Sequence, residues 1–175
     1  MEPTPLSLTE YAVLGLLAEG PAHGFGLSKG LEAGSPVGRV VTVRRPLVYR
    51  ALGRLVSAGL AAPERVEAGE AGPQRVIHRI TPQGRRRLQQ WLEEPVGHVR
   101  DLRLGFLVKL VLVQRAGGSP GPLIVRQRTV LHDALQALAQ AAGSTEDVVE
   151  LWRAHNAMAA RSFLDHLGER YPEPR

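Results

Sequence analysis

The stretch Pro46-Leu47-Val48-Tyr49-Arg50-Ala51-Leu52-Gly53-Arg54-Leu55-Val56-Ser57-Ala58-Gly59-Leu60 decides the reading of this chain. Val48, Leu52 and Leu55 recur at i, i+4 and i+7, which lays one apolar stripe along a helix. Arg50 and Arg54 stand four apart on a different face. Arg44 and Arg45 precede the helix, Pro46 suits its first position, and Gly59 stops it. A short helix with a buried stripe and an arginine-lined open face fits the major groove of DNA.

Charge follows the same region. The 175 residues carry a formal net charge of +5. Residues 39–87 hold eleven arginines against three glutamates, Glu64, Glu67 and Glu70. The remainder of the chain is slightly acidic. Positive charge gathered in one subregion points to a polyanionic partner. The chain has no cysteine, so disulfides, thiol switches and Cys-ligated zinc are excluded. The opening M-E-P-T-P has no basic segment ahead of an apolar run, so no signal peptide is expected. Apolar runs fall well short of the ~20 residues of a membrane span. A cytoplasmic protein without membrane contact is the expectation.

Working outward from the arginine-faced helix, residues 7–19 open with Ser7 and Glu10 at capping-box spacing. They continue as a helix that is apolar on nearly every side and so needs cover on more than one face. A second helix is predicted over about His23–Glu32, weakened by Gly24, Gly26 and Gly30. The β-branched run Val40–Val43 reads as a short strand within a loop. After Gly59, Leu60–Val66 and Gln74–Ile80 read as two strands turned by Gly69, Gly72 and Pro73. On the return strand Val76, His78 and Ile80 are expected to share one face, and Arg75, Ile77 and Arg79 the other. Thr81 and Pro82 supply the N-cap and first residue of another helix, with Leu88, Trp91 and Leu92 as its apolar stripe. Three helices, a two-stranded hairpin and a helix make a winged helix-turn-helix.

Composition changes near Pro95-Val96-Gly97. Beyond it the pattern is helical: one helix over Asp101–Arg115, ended by Gly117-Gly118, then a long helix to about Ala142. Along the long helix Ile124, Leu131, Leu135, Leu138 and Ala142 fall at near-heptad spacing. A last helix follows Gly143, with Ser144 and Asp147 at cap-like spacing, and runs to about Leu167. Its Val148, Trp152, His155, Ala159 and Phe163 share a face. The chain is therefore mainly α with a small β-hairpin, divided into a winged-helix DNA-binding domain over 1–95 and an all-helical dimerisation domain over 96–175.

L-T-E-Y-A-V-L-G-L-L-A-E-G-P-A-H-G-F, L-V-Y-R-A-L-G-R-L-V-S-A-G-L and R-V-I-H-R-I-T-P-Q-G-R-R-R-L together resemble the PadR-type transcriptional regulators over residues 6–94. The second half, beginning with D-L-R-L-G-F-L-V-K-L, is similar to the longer subfamily with an extra helical C-terminal domain. The resemblance implies a homodimeric repressor that binds an inverted-repeat operator and is released by a small molecule or another signal. The chain departs from the family pattern in places. The turn before the recognition helix is Arg44-Arg45-Pro46-Leu47 where small polar residues are usual, Gly53 stands where a polar or basic residue is common, and Glu67 and Glu70 sit close to the wing tip, which works against deep phosphate contact there.

The DNA-binding candidates are Arg44, Arg45, Leu47, Tyr49, Arg50, Arg54 and Arg75. Arg45 and Arg50 are placed to reach base edges or flanking phosphates, and Arg54 and Arg75 to meet phosphates. Leu47 can touch only a thymine methyl. Tyr49 combines a packing ring with a hydroxyl for a phosphate. Trp91, Phe106, Trp152 and His155 are the candidates for a small hydrophobic or aromatic effector, the resemblance implying a pocket between subunits. The C-terminal helices and the first helix are expected to bury the dimer interface, with Leu131 and Leu138 in it. No metal or cofactor is expected: the six histidines lack H-x-x-x-H spacing, and no catalytic or nucleotide-binding fingerprint is present. The alternative reading is a winged-helix protein-interaction module that no longer reads DNA.

Overall fold

The computed structural model describes residues 5–68, 74–140 and 146–172. They form two compact units, one ending at Trp91 and the other beginning at Leu92.

The first unit, the head, opens with α1 (Leu8–Glu19). Its capping box is formed in full: Glu10 N donates to Ser7 Oγ, and Ser7 N donates to Glu10 Oε2 at 2.6 Å. Tyr11 through Leu17 are all buried, and α1 packs against α2, α3 and β3. Residues Ala22–His23 form a short strand, β1, and α2 covers only Gly24–Lys29. The helix expected from His23 to Glu32 is thus shortened at both ends. His23 is drawn into the sheet opposite Ile77, and its Nδ1 caps α2 by accepting from Gly26 N at 2.9 Å.

No strand forms over Val40–Val43. Local turns satisfy the backbone instead: Val40 N and Val41 N donate to Val37 O, and Val43 N to Leu31 O. Val37 and Val43 serve as buried plugs. The helix α3 (Arg45–Ser57) follows, with Arg44 as its N-cap and Pro46 as its second residue. Val48, Leu52 and Leu55 are buried as the spacing predicts. Gly59, at φ +70°, takes the left-handed conformation that ends the helix.

Strands β2 (Ala61–Glu67) and β3 (Arg75–Ile80) pair antiparallel, and β1 adds to the far edge of β3, giving the order β1-β3-β2. The turn assigned to Gly69, Gly72 and Pro73 lies outside the described residues. The expected face division of β3 does not hold. Ile77 and Ile80 are the buried pair and Val76 is exposed. A register shift between Pro63 and Arg65 bends the hairpin, and a bulge of this kind disrupts strict alternation. Thr81 Oγ1 accepts from Gly84 N and donates to Gly59 O at 2.7 Å, so one side chain caps α4 (Pro82–Glu93) and ties it to the end of α3.

The helical unit does not begin as one helix. A 3-10 turn over Val99–Arg103 precedes α5 (Gly105–Arg115). Helices α6 (Gly121–Gln140) and α7 (Val148–Arg170) lie side by side in opposite directions, Gly121 beside Tyr171 and Arg128 bonded to Asp165. Asp147 caps α7 through Val149 N and Glu150 N; Ala142, Gly143 and Ser144 lie outside the described residues. The core gathers Leu102, Phe106, Ile124, Leu131, Leu135 and Leu164. Leu131 is only 1% exposed and Leu138 packs against the same core. The described residues of the near-heptad stripe, Ile124, Leu131, Leu135 and Leu138, therefore serve this unit's own interior, which corrects the assignment of Leu131 and Leu138 to a dimer interface. On α7 the buried residues are Ala154, Ala157, Leu164 and Leu167, and the face bearing Val148, Trp152 and Phe163 is exposed.

The segment after α4 is fastened to this unit by side chains. Gln127 is fully buried and bonds both N and O of Val96 at 2.8 Å. Arg126 Nε donates to Glu93 O at 2.9 Å, and Lys109 Nζ donates to Glu94 O. Burial lowers the Lys109 amine from 10.5 to about 8, with Glu94 opposing the shift.

Candidate nucleic-acid interface

The open face of α3 is built by subtraction. Its apolar stripe is spent on the core, and no acid occurs anywhere along Arg45–Ser57. Arg44, Arg45, Leu47, Tyr49, Arg50 and Arg54 all lie exposed along or just before it. The structure thus brings together six of the seven DNA-binding candidates. Arg75 stands apart on β3, exposed, with Glu67 as its cross-strand neighbour. Glu67 is also held by Arg65, which pairs with Glu64 as well. The described part of the wing therefore offers a mixed rather than a purely cationic surface.

Three of the α3 side chains are positioned by neighbours that the sequence did not single out for this role. Tyr49 lays its ring on Gly24 so closely that a Cβ there would sit 2.5 Å from a ring carbon. Any side chain at position 24 would have to push the ring aside. The residue as a whole remains 49% exposed. The Arg45 guanidinium lies 4.7 Å from the centroid of Phe25, and Lys29 Nζ lies 5.3 Å from the same ring. Arg54 Nε forms an ion pair with Glu10 Oε1 at 2.9 Å, on a carboxylate that is almost entirely buried. Phe25 and Lys29 had a legible signal, an i, i+4 pair on a short helix. Glu10 was legible as a cap but not as a partner of Arg54.

Among the arginines crossing the start of α4, Arg85 bonds Ala18 O at 3.4 Å, a contact within the head.

The four effector candidates occupy different settings. Trp91 belongs to the head, where it stacks on Tyr11 at 4.2 Å and 6°. Phe106 is fully buried in the core of the helical unit and presents no surface to a ligand. Trp152 and His155 are exposed on α7, and His155 Nδ1 is bonded to Leu151 O. Among the described residues no group of three or more His, Asp or Glu could hold a metal ion. None of the described helices is long and apolar enough to cross a membrane.

Residues 13–90 match the model of the transcriptional regulator PadR-like family. A crystal structure of Bacillus subtilis PadR in complex with operator DNA matches 93% of this chain and 99% of its own, at 18% identity and a TM-score of 0.50. The Streptococcus mutans protein smu.1604c follows at 17% identity and a TM-score of 0.44, covering 92% of this chain and 96% of its own. The PadR-like transcriptional regulator BC1756 from Bacillus cereus has 16% identity and a TM-score of 0.43, with 97% of each chain covered. No curated protein sequence matches. The first of these structures shares the fold, a winged helix followed by a helical region. The match to the PadR-like family of transcriptional regulators thus extends over residues 13–90.

Proposed function

We propose that the chain is a cytoplasmic, homodimeric repressor that places one α3 in the major groove of each half of an inverted-repeat operator. The observation that carries this is the exposed arginine face of α3, whose own sequence holds no acid. Arg50, on the outer face, takes a base edge or the adjoining phosphate. Arg44, Arg45, Arg54 and Arg75 take phosphates, Leu47 packs on a thymine methyl, and the Tyr49 hydroxyl meets the backbone. That Bacillus subtilis PadR is described in complex with operator DNA supports the same mode here.

A two-fold operator needs a two-fold protein. Trp152 is 70% exposed and Val148 76%, with Val149, Met158 and Phe163 also open on α7. An apolar surface of this kind on one helix marks an interaction site, and a second copy of the same helix is the partner that the operator's symmetry requires. Small hydrophobic or aromatic molecules, or another signal, release the DNA by favouring a dimer whose two heads no longer match the half-site spacing. Trp152 and His155 are the effector candidates with open surface.

Mobility-shift titration against the region upstream of the chain's own gene tests the reading. Saturable binding that survives excess random duplex supports it. Absence of binding at low salt, with capture of a protein partner instead, supports the protein-interaction module. Exposed Leu47 and mid-helix Gly53, neither able to bond a base edge, are what favour that second reading.

A further inference from the structure

We infer that Phe25 seats Arg45 and Lys29 as a two-cation clamp for a single DNA backbone phosphate beside α3, an inference that rests on the DNA-binding reading above. Phe25 and Lys29 are one turn apart on α2, and Arg45 is the first residue of α3. The two elements meet at this ring. The Arg45 guanidinium carbon stands 4.7 Å from its centroid and Lys29 Nζ stands 5.3 Å away. An aromatic face attracts a cation through its quadrupole. Here one ring attracts two cations, which repel each other.

Neither cation has an acidic partner among the described residues, and both side chains are exposed. Two like charges gathered on one ring without a counterion make a local excess of positive charge. One bound anion relieves that excess for both at once. The ring's other surroundings hold it in place: the His23 ring lies 6.2 Å away at 24°. His23 is itself fixed by its bond from Gly26 N and by its pairing with Ile77 in the sheet. The Tyr49 ring on Gly24 pins the same end of α2 to α3.

The charge type selects the ligand. Lys is a point charge suited to a phosphate, and a guanidinium lying over an aromatic ring keeps its outer edge for anionic oxygens. The cluster adjoins the arginine face of α3, along which the DNA backbone must pass if α3 enters the groove. Contacts of this class fix register and contribute equally to every sequence.

The test uses the full-length chain, a duplex selected from random DNA by the chain itself, and an unselected duplex. Affinities of the wild type, F25L, K29Q and the double variant R45Q/K29Q are measured from low to moderate salt. The slope of log K against log salt should shrink by about 1.8 in the double variant, one phosphate's worth of about 0.9 in each half-site of the dimer's operator. K29Q and F25L should each weaken binding several-fold on both duplexes alike, leaving their ratio unchanged. A single neutral methylphosphonate should weaken wild-type binding at one position in each half-site, and K29Q should be indifferent at that position. Wild-type slope and affinity in F25L and K29Q overturn the clamp, as does a loss confined to the selected duplex. Absence of salt-dependent binding by the wild type overturns the DNA-binding reading itself. Circular dichroism of F25L and K29Q separates both results from misfolding.

Discussion

The buried carboxylate of Glu10 meets Arg54 Nε at 2.9 Å, which ties the first helix of the head to the arginine face of α3. The contact is an ion pair rather than an aligned hydrogen bond. The other carboxylate oxygen, Oε2, takes both N and Oγ of Ser7. One side chain thus closes the capping box of α1 and orients an arginine proposed to face DNA. Removing Arg54 strands a buried charge, whereas replacing Glu10 by glutamine keeps the cap and removes the charge. R54Q should therefore cost about 1–3 kcal/mol, less than for a fully buried pair because Arg54 is half exposed. The double variant E10Q/R54Q should recover part of that loss. Urea unfolding of the three variants checks this; additive losses would show that the pair is uncoupled.

Gly24 lies directly under the Tyr49 ring. G24A should displace that ring and destabilise the head by up to about 1 kcal/mol, less than overpacking of a closed core because Tyr49 is half exposed. The cost should largely vanish when Tyr49 is also replaced by Ala, because the ring is what the new methyl meets. Thermal unfolding of the single and double variants decides the point; an equal loss in both backgrounds would place the clash elsewhere.

The exposed α7 face is the proposed dimer surface, and the buried α6 stripe is not. W152D should give a folded monomer by sedimentation, with unchanged helicity. L131D should instead unfold the helical unit, since Leu131 lies in its core. A W152D chain that remains dimeric would move the interface off α7.

Lys109 makes the helical unit sensitive to alkaline pH. Its folded pKa, about 8, lies below the unfolded 10.5 because burial disfavours the ammonium. Between these values the unfolded chain binds more protons, so the contribution of Lys109 to stability rises with pH across that window. Below pH 8 the group is charged in both states and its desolvation cost is fully present. At about 1.4 kcal/mol per unit, the stability difference between wild type and K109M should shift by roughly 3 kcal/mol across that window, in favour of the wild type. Parallel pH profiles would show that Lys109 is charged in the folded chain throughout.

Much of this was legible in the sequence because it is local. The Ser7–Glu10 box, the Val48-Leu52-Leu55 stripe, the stop at Gly59 and the Thr81 cap each span a few residues, and each formed. What escaped depends on distance along the chain. β1 is two residues long and has no pattern of its own; it exists because β3 passes beside it. Glu10 and Arg54 meet across two helices. The face of α7 was ambiguous because the helix carries apolar residues on more than one side, and only its packing on α6 chose the alanines and leucines over Trp152. Within the candidate site, the arginines announced themselves by number and spacing. Their supports, Gly24, Phe25 and Glu10, did not, since a seat is defined by what rests on it.

Selection of a DNA sequence by the arginine face of α3 is open to a competition-binding measurement. Wild type and R45A/R50A are compared on the upstream region of the chain's own gene in the presence of excess random duplex. The wild type should keep its preference, while R45A/R50A loses it and sediments as the same dimer. A double variant that still prefers the upstream region over random duplex would show that sequence selection lies outside this face.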